Sequence, residues 1–295
     1  MDKKNVLLLL LILGTAFWGI SFSVTKMATS HAALPVFLCY RFVAATAVMS
    51  LLFPRYLKKL SWLSIKTGIS LAVPLSFGIY LQTLGLKYSS ASQCSFVAGT
   101  SVVIIPLVKM MFYKTVAPAK IWFAVVIALV GLAIISITHN FTVSIGDLYT
   151  IAGSFGFAMY LIKVEEYASL QNIAFATIPM FAACAIISFG LAFSDGGVNW
   201  LPQDHEFWTG VGYCALFSTA YMYTISNISQ RFLSAERVAI IYLFEPVFGA
   251  IAACFILGEH LTWRLLTGGA LIFAATLISE MKFGEKAALI EINDC

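Results

Sequence analysis

Lys87-Tyr88-Ser89-Ser90-Ala91 opens an apolar run that reaches Phe112, and Arg231-Phe232-Leu233-Ser234-Ala235 opens another that reaches Leu257. A short polar turn follows each run, from Tyr113 to Ala119 and from Gly258 to Trp263. A basic residue, Lys120 or Arg264, then starts a further apolar stretch ending at Thr138 or Met281. Laying Ser90-Ala91 on Ser234-Ala235 also places Lys87 on Arg231, Tyr88 on Phe232 and Lys120 on Arg264. Pattern rather than identity marks these as two copies of one hairpin. An odd number of hydrophobic spans separates them, so the second copy must enter the membrane upside down. Inverted repeats of this kind characterise secondary transporters.

Composition supports a membrane setting. Of 295 residues, 60% are hydrophobic and 11% charged, and the mean hydropathy is +0.91. A soluble domain of this size needs more charge to cover its surface. Apolar stretches long enough to span a bilayer fall at 5–25, 33–53, 67–86, 92–112, 119–138, 147–163, 173–193, 207–228, 237–257 and 264–281. The sequence thus predicts an all-α membrane protein with ten transmembrane helices arranged as two inverted five-helix repeats. Residues 1–142 form the first repeat, 143–282 the second, and 283–295 a cytoplasmic tail. The first span runs past Trp18 and Phe22 with no A-x-A site after it, too long for the core of a signal peptide.

Charge counting sets the orientation. With the N-terminus in the cytoplasm, thirteen Lys and Arg fall on the inner side and three (Lys26, Lys87, Arg264) on the outer. That bias places both termini inside and accounts for the net charge of +4 without a nucleic-acid partner, whose face would be a single basic patch. The six cysteines are scattered and form no C-x-x-C, as expected of small buried hydrophobes. His31, His139, His205 and His260 fall at or near outer loops, and Asn140-Phe141-Thr142 would be a sequon in a eukaryote. No H-E-x-x-H, G-x-S-x-G or Walker loop is present, so neither an enzyme nor a resident cofactor or metal is expected.

Charges inside spans are the sharpest sign of function, since each costs at least ~2.5–3.5 kcal/mol at the bilayer centre. Arg41 lies about two residues from the middle of span two and Glu245 about two from the middle of span nine. They come from opposite repeats, so they could flank one central cavity, as a buried ion pair, with Arg41 capping backbone carbonyls, or as ligands for a substrate's carboxylate and amine. Glu245 could also carry a coupling proton. Lys109 lies near the cytoplasmic end of span four, where it could snorkel or meet a substrate. Trp18, Tyr40, Tyr80, Gln82, Tyr160, Tyr223, Asn227 and Tyr242 complete the candidate substrate-binding set. Aromatic faces suit flat or cationic groups, and amides both donate and accept. Pro74, Pro106, Pro179 and Pro246 interrupt spans three, four, seven and nine, either as ordinary kinks or as breaks in helices that line a cavity. Gly14 to Gly19 in span one and Gly153 to Tyr160 in span six both set small residues beside aromatics, as helices packed near a repeat interface would.

With these residues in place, the chain resembles the drug/metabolite transporter superfamily, of the ten-helix EamA type. The first half carries the resemblance in Phe17-Trp18-Gly19 with Phe22, in Arg41, and in Gly85 to Ala91. The second half adds Gly146-Asp147-Leu148, Phe157-Ala158-Met159-Tyr160, Leu233-Ser234-Ala235, Glu245-Pro246-Val247-Phe248 and Leu257 to Thr262. Two positions depart from the family pattern: Thr115 stands where an acidic residue is common, and Phe157 where Trp is usual. The resemblance implies a 5+5 inverted repeat, a central cavity and alternating access.

Together these readings predict a secondary transporter of a small organic metabolite in a bacterial inner membrane. An amino acid or derivative is the first choice of cargo, and S-adenosylmethionine or another nucleoside-type metabolite the second. A non-transporting receptor or assembly subunit is the alternative of another class. The expected partners are the small-molecule substrate and the lipid bilayer; proton coupling and a homodimer are left open.

Overall fold

Ser61 starts the longest helix by accepting the backbone N–H of Ser64 on its hydroxyl at 3.1 Å, a side-chain cap for an orphan donor. The helix then runs unbroken from Trp62 to Tyr88. Its 27 residues reach about 40 Å at ~1.5 Å per residue, passing Pro74 without ending. The computed structural model describes residues 3–30, 32–89, 91–136, 144–170, 173–195, 197–257 and 263–280. The sequon, His31, His139, Glu259, His260 and the tail 283–295 lie outside the described residues.

Every regular element among the described residues is helical. In chain order they are α1 (Lys3–Ala28), α2 (Leu34–Leu52), α3 (Pro54–Lys58), α4 (Trp62–Tyr88), α5 (Ala91–Ala98), α6 (Ser101–Phe112), α7 (Ala119–Ser136), α8 (Ile145–Leu170) and α9 (Ala174–Ser194). There follow α10 (His205–Tyr213), a π-helical turn (Cys214–Tyr221), α11 (Met222–Ser229), α12 (Ala235–Tyr242), α13 (Phe244–Leu257) and α14 (Trp263–Glu280). Five of them, α1, α2, α4, α8 and α9, are long and apolar enough to cross a membrane. Large side chains such as Leu51, Val73, Ile186 and Phe193 point outward, while Arg41, Asp147, Glu236 and Glu245 are buried. Apolar outside and charged inside is the reverse of a soluble fold, and it suits a lipid surround.

The prolines do not mark the breaks. Pro106 lies within α6, and Pro246 sits in the first turn of α13, where its missing N–H costs nothing. The apolar run of the first hairpin is instead divided at Gly99-Thr100, where Thr100 N–H turns back to the Val97 carbonyl at 3.0 Å. That of the second is divided at Leu243, whose N–H reaches the Ile240 carbonyl at 3.2 Å. Both are three-residue bonds that tighten a helix end. In the Ser-Ala register Gly99 superposes on Leu243, so the two copies break at the same place.

Packing crosses between the halves of the chain. The α2 helix lies on α9, α7 on α14, and α4 on α8, while α1 packs on α13, α11 and the π-helical turn. Exchanging the two halves maps the first two pairs onto themselves and turns the α4–α8 pair into that of α1 with the α10–α11 segment. Glycine lets the closest pairs meet. A Cβ on Gly153 would stand 2.8 Å from the Gly78 carbonyl oxygen, and one on Gly156 2.8 Å from the Gly78 nitrogen. On the other side, a Cβ on Gly19 of α1 would stand 2.6 Å from the Glu245 carbonyl oxygen and 2.8 Å from the Gly249 nitrogen of α13. The small-residue stretches of spans one and six thus place two helices against backbone, and the α1–α13 contact falls at Glu245 itself.

Candidate functional site

A stretch of irregular helix organises the centre. From Cys214 to Tyr221 the backbone widens into a π-helix, a form found mostly as isolated turns and frequently at functional sites. Three groups from this stretch reach toward the first half of the chain. The Thr219 hydroxyl accepts Arg41 Nε at 2.6 Å, the Ser218 hydroxyl accepts Arg41 Nη2 at 3.1 Å, and the Ser218 carbonyl accepts Trp18 Nε1 at 2.7 Å. Arg41, on α2, is only 4% exposed, so its charge is held by neutral hydroxyls. A guanidinium offers five N–H donors, which leaves others for the cavity it lines.

Opposite stands Glu245, near the start of α13 and just past the break at Leu243. It is 7% exposed, and its Oε1 has no hydrogen-bond partner. Arg41 and Glu245 line the same cavity, yet among the described residues no ion pair joins them. A buried carboxylate oxygen with nothing to accept from is costly unless a partner is supplied. Aromatic rings line the same cavity. Trp18 lies edge-on to Tyr242 at 4.7 Å and to Tyr223 at 5.4 Å between ring centroids, with Phe157 at 6.4 Å. Tyr242 is tied through its hydroxyl to Ser226, so its ring is fixed rather than free to swing. Gln82 and Thr83 of α4 and Ser95 of α5 add polar groups to the lining.

The cavity lies between broken helices, in a bundle that is apolar on its outside. Proteins of known family agree. The model of the EamA-like transporter family matches residues 5–137 and again 144–281. The chain belongs to that family. Two proteins of Archaeoglobus fulgidus, each described as an uncharacterized transporter, are similar along nearly the whole length. One is 27% identical over 92% of this chain and 85% of its own, the other 23% identical over 96% and 99%. A crystal structure at 13% identity superposes over 100% of both chains with a TM-score of 0.73, a likeness of fold alone.

Of the residues singled out in this EamA-like chain, Arg41, Glu245, Trp18, Gln82, Tyr223 and Tyr242 line the cavity. The others lie elsewhere. The Tyr160 hydroxyl donates to Asn227 Oδ1 at 2.5 Å, and Asn227 Nδ2 reaches Thr177 at 3.4 Å, a buried network behind the Tyr223 ring. The Tyr40 hydroxyl donates to the Trp200 carbonyl at 2.9 Å, and its ring packs on Phe207 and Trp208. Tyr80 packs against the hydrophobic core outside the lining. Lys109 is part of an ionic cluster at a second cavity.

Sequence reasoning missed the residues that position Arg41. Ser218 and Thr219 read as ordinary hydroxyls in an apolar span, and nothing in Cys214-Ala215-Leu216-Phe217-Ser218-Thr219-Ala220-Tyr221 announces a π-helix. Phe157 was legible through the repeat. Setting Gly14 on Gly153 puts Trp18 on Phe157, and both line the cavity.

Proposed function

We propose that this chain is a secondary transporter of ten spans, built as two inverted five-helix repeats over residues 1–142 and 143–282, with both termini in the cytoplasm of a bacterium. In this reading α5 with α6, α12 with α13, and α10 to α11 are single spans broken at depth. Such breaks belong where irregular backbone lines a cavity. The cargo is a small zwitterion, an amino acid or a derivative of one. Its amine meets Glu245, its carboxylate the spare donors of Arg41, and its side chain the rings of Trp18 and Tyr242. The observation that carries this is the unpartnered Glu245 oxygen, buried beside aromatic faces in the cavity that Arg41 also lines. Glu245 is also the group at which a coupling proton would be exchanged.

The ring cluster favours one second reading, a sulfonium-bearing nucleoside such as S-adenosylmethionine, whose base would stack and whose cation would face Glu245. A thermal-shift screen of the purified protein against amino acids and adenosine derivatives separates the two, because a ligand that binds only the folded state raises its stability. Zwitterionic amino acids should raise the melting temperature, and the Glu245→Gln variant should lose that shift. Stabilisation by adenosine compounds alone would select the second reading, and a shift unchanged in Glu245→Gln would remove Glu245 from the site.

A further inference from the structure

Lys109, near the C-terminal end of α6, makes two ion pairs at once. Its Nζ lies 2.6 Å from Glu165 Oε2 on α8 and 2.9 Å from Glu236 Oε1 on α12. The same Glu165 oxygen accepts the backbone N–H of Ala235 at 2.9 Å, capping α12 from outside. Glu236 stands in the first turn of α12, where the helix dipole favours a negative charge. One cluster therefore fastens together α6 from the first half and α8 and α12 from the second. The side chains of Lys109 and Glu236 are only 14% and 6% exposed, so water screens the pair little.

The position of the cluster relative to the central cavity is what matters. The cavity is lined by Trp18, Phe22 and Thr25 along α1, by Ile79, Thr83 and Leu86 along α4, and by Ser95 of α5. It thus extends toward the C-terminal ends of α1 and α4. The ionic cluster lies at the other end, where α6 and α8 finish and α12 begins. Leu161, which still lines the cavity, is one turn of α8 from Glu165.

The repeat gives this ionic cluster no counterpart at the equivalent positions. In the hairpin register Lys109 superposes on Ala253 and Glu236 on Ser92, while the Gly14–Gly153 register puts Glu165 on Lys26. Lys26 does bridge helices, donating to the Ser89 carbonyl at 2.6 Å. The sequence at the other end nonetheless offers no acid for it at the two matching positions.

We infer that Lys109, Glu165 and Glu236 form an ionic latch that holds the cytoplasmic end of the bundle shut in this conformation. Among the described residues the opposite end is tied by hydrogen bonds instead, from Lys26 Nζ to the Ser89 carbonyl and from the Ser89 hydroxyl and Gln93 Nε2 to Asp147. The latch rests on the transporter reading and its orientation. Opening inward separates α6 from α8 and α12 and exposes Leu161 to the cytoplasm.

A cysteine at Leu161 tests it without any knowledge of the cargo. The full-length Leu161→Cys protein in right-side-out and inverted membrane vesicles is treated with a membrane-impermeant thiol reagent, and labelling is counted above that of the chain with its native cysteines only. Leu161 is only 1% exposed, so the reagent should hardly react from the inside. Adding Lys109→Ala should raise the inside rate about tenfold, the scale of a modest shift between two states. Lys109→Arg should keep it low, and Glu236→Gln should raise it by a smaller factor. Size-exclusion profiles show that each variant is folded. An inside rate unchanged in both Lys109→Ala and Glu236→Gln would overturn the latch. Inside labelling that rises in a protein whose melting no solute shifts would overturn the transporter reading and leave the latch.

Discussion

At the residue scale, the site is a question of which buried charges have partners. Arg41 is held by the Ser218 and Thr219 hydroxyls, whereas Glu245 keeps an oxygen with none. The first group is positioned and the second is waiting. Tyr160 and Asn227 illustrate the contrast, because their polar atoms already satisfy one another. Tyr160→Phe should therefore lower stability by about 1–3 kcal/mol, the cost of stranding a buried acceptor. Ligand affinity should stay within about threefold of the wild type, and thermal melts with and without ligand read both quantities. A large loss of affinity at unchanged stability would instead put Tyr160 in the site. The two charges were legible in the sequence because an ionised group in an apolar run is expensive and must have a use. Tyr160, Asn227, Tyr40 and Tyr80 were not separable from Tyr223 and Tyr242, since a tyrosine in a span carries no mark of which way it faces.

At the scale of elements, helix breaks and glycine contacts place these side chains. Gly19 lets α1 touch the backbone of α13 at Glu245. Gly19→Ala would set a methyl 2.6 Å from that carbonyl oxygen, and the neighbouring backbone cannot yield as a flexible side chain would. The variant should weaken ligand binding about tenfold or more by shifting Glu245, as small displacements at a positioned site do, while Gly190→Ala, with nothing near it, should bind as the wild type does. Titration of the purified proteins against the same ligand makes the comparison. The duplicated hairpin was readable from its polar turns, and the equivalence of Gly99 with Leu243 follows from that register. The break itself was misplaced onto Pro106 and Pro246, because proline is the visible breaker in a sequence while a three-residue hydrogen bond at Leu243 leaves no trace. The π-helical turn is the same case: its register is imposed by the contacts of Ser218 and Thr219 with Trp18 and Arg41, which are 177 to 200 residues away in the chain.

At the scale of the molecule, packing alternates between halves, with α2 on α9 and α7 on α14. Each half therefore contributes one wall of the cavity and one of its two charges. In the proposed transport cycle a solute is gripped by both halves and released when they rock apart, which is why Arg41 and Glu245 are expected to act on cargo together. Uptake of radiolabelled amino acids into proteoliposomes holding the purified chain tests this most directly, with Arg41→Ala and Glu245→Gln measured beside the wild type at matched protein content. Losing one partner of a buried, hydrogen-bonded charge costs about 2 kcal/mol or more. The account therefore predicts saturable uptake by the wild type and a fall of about thirtyfold in each variant. Well-folded Arg41→Ala and Glu245→Gln proteins that transport at the wild-type rate would contradict it.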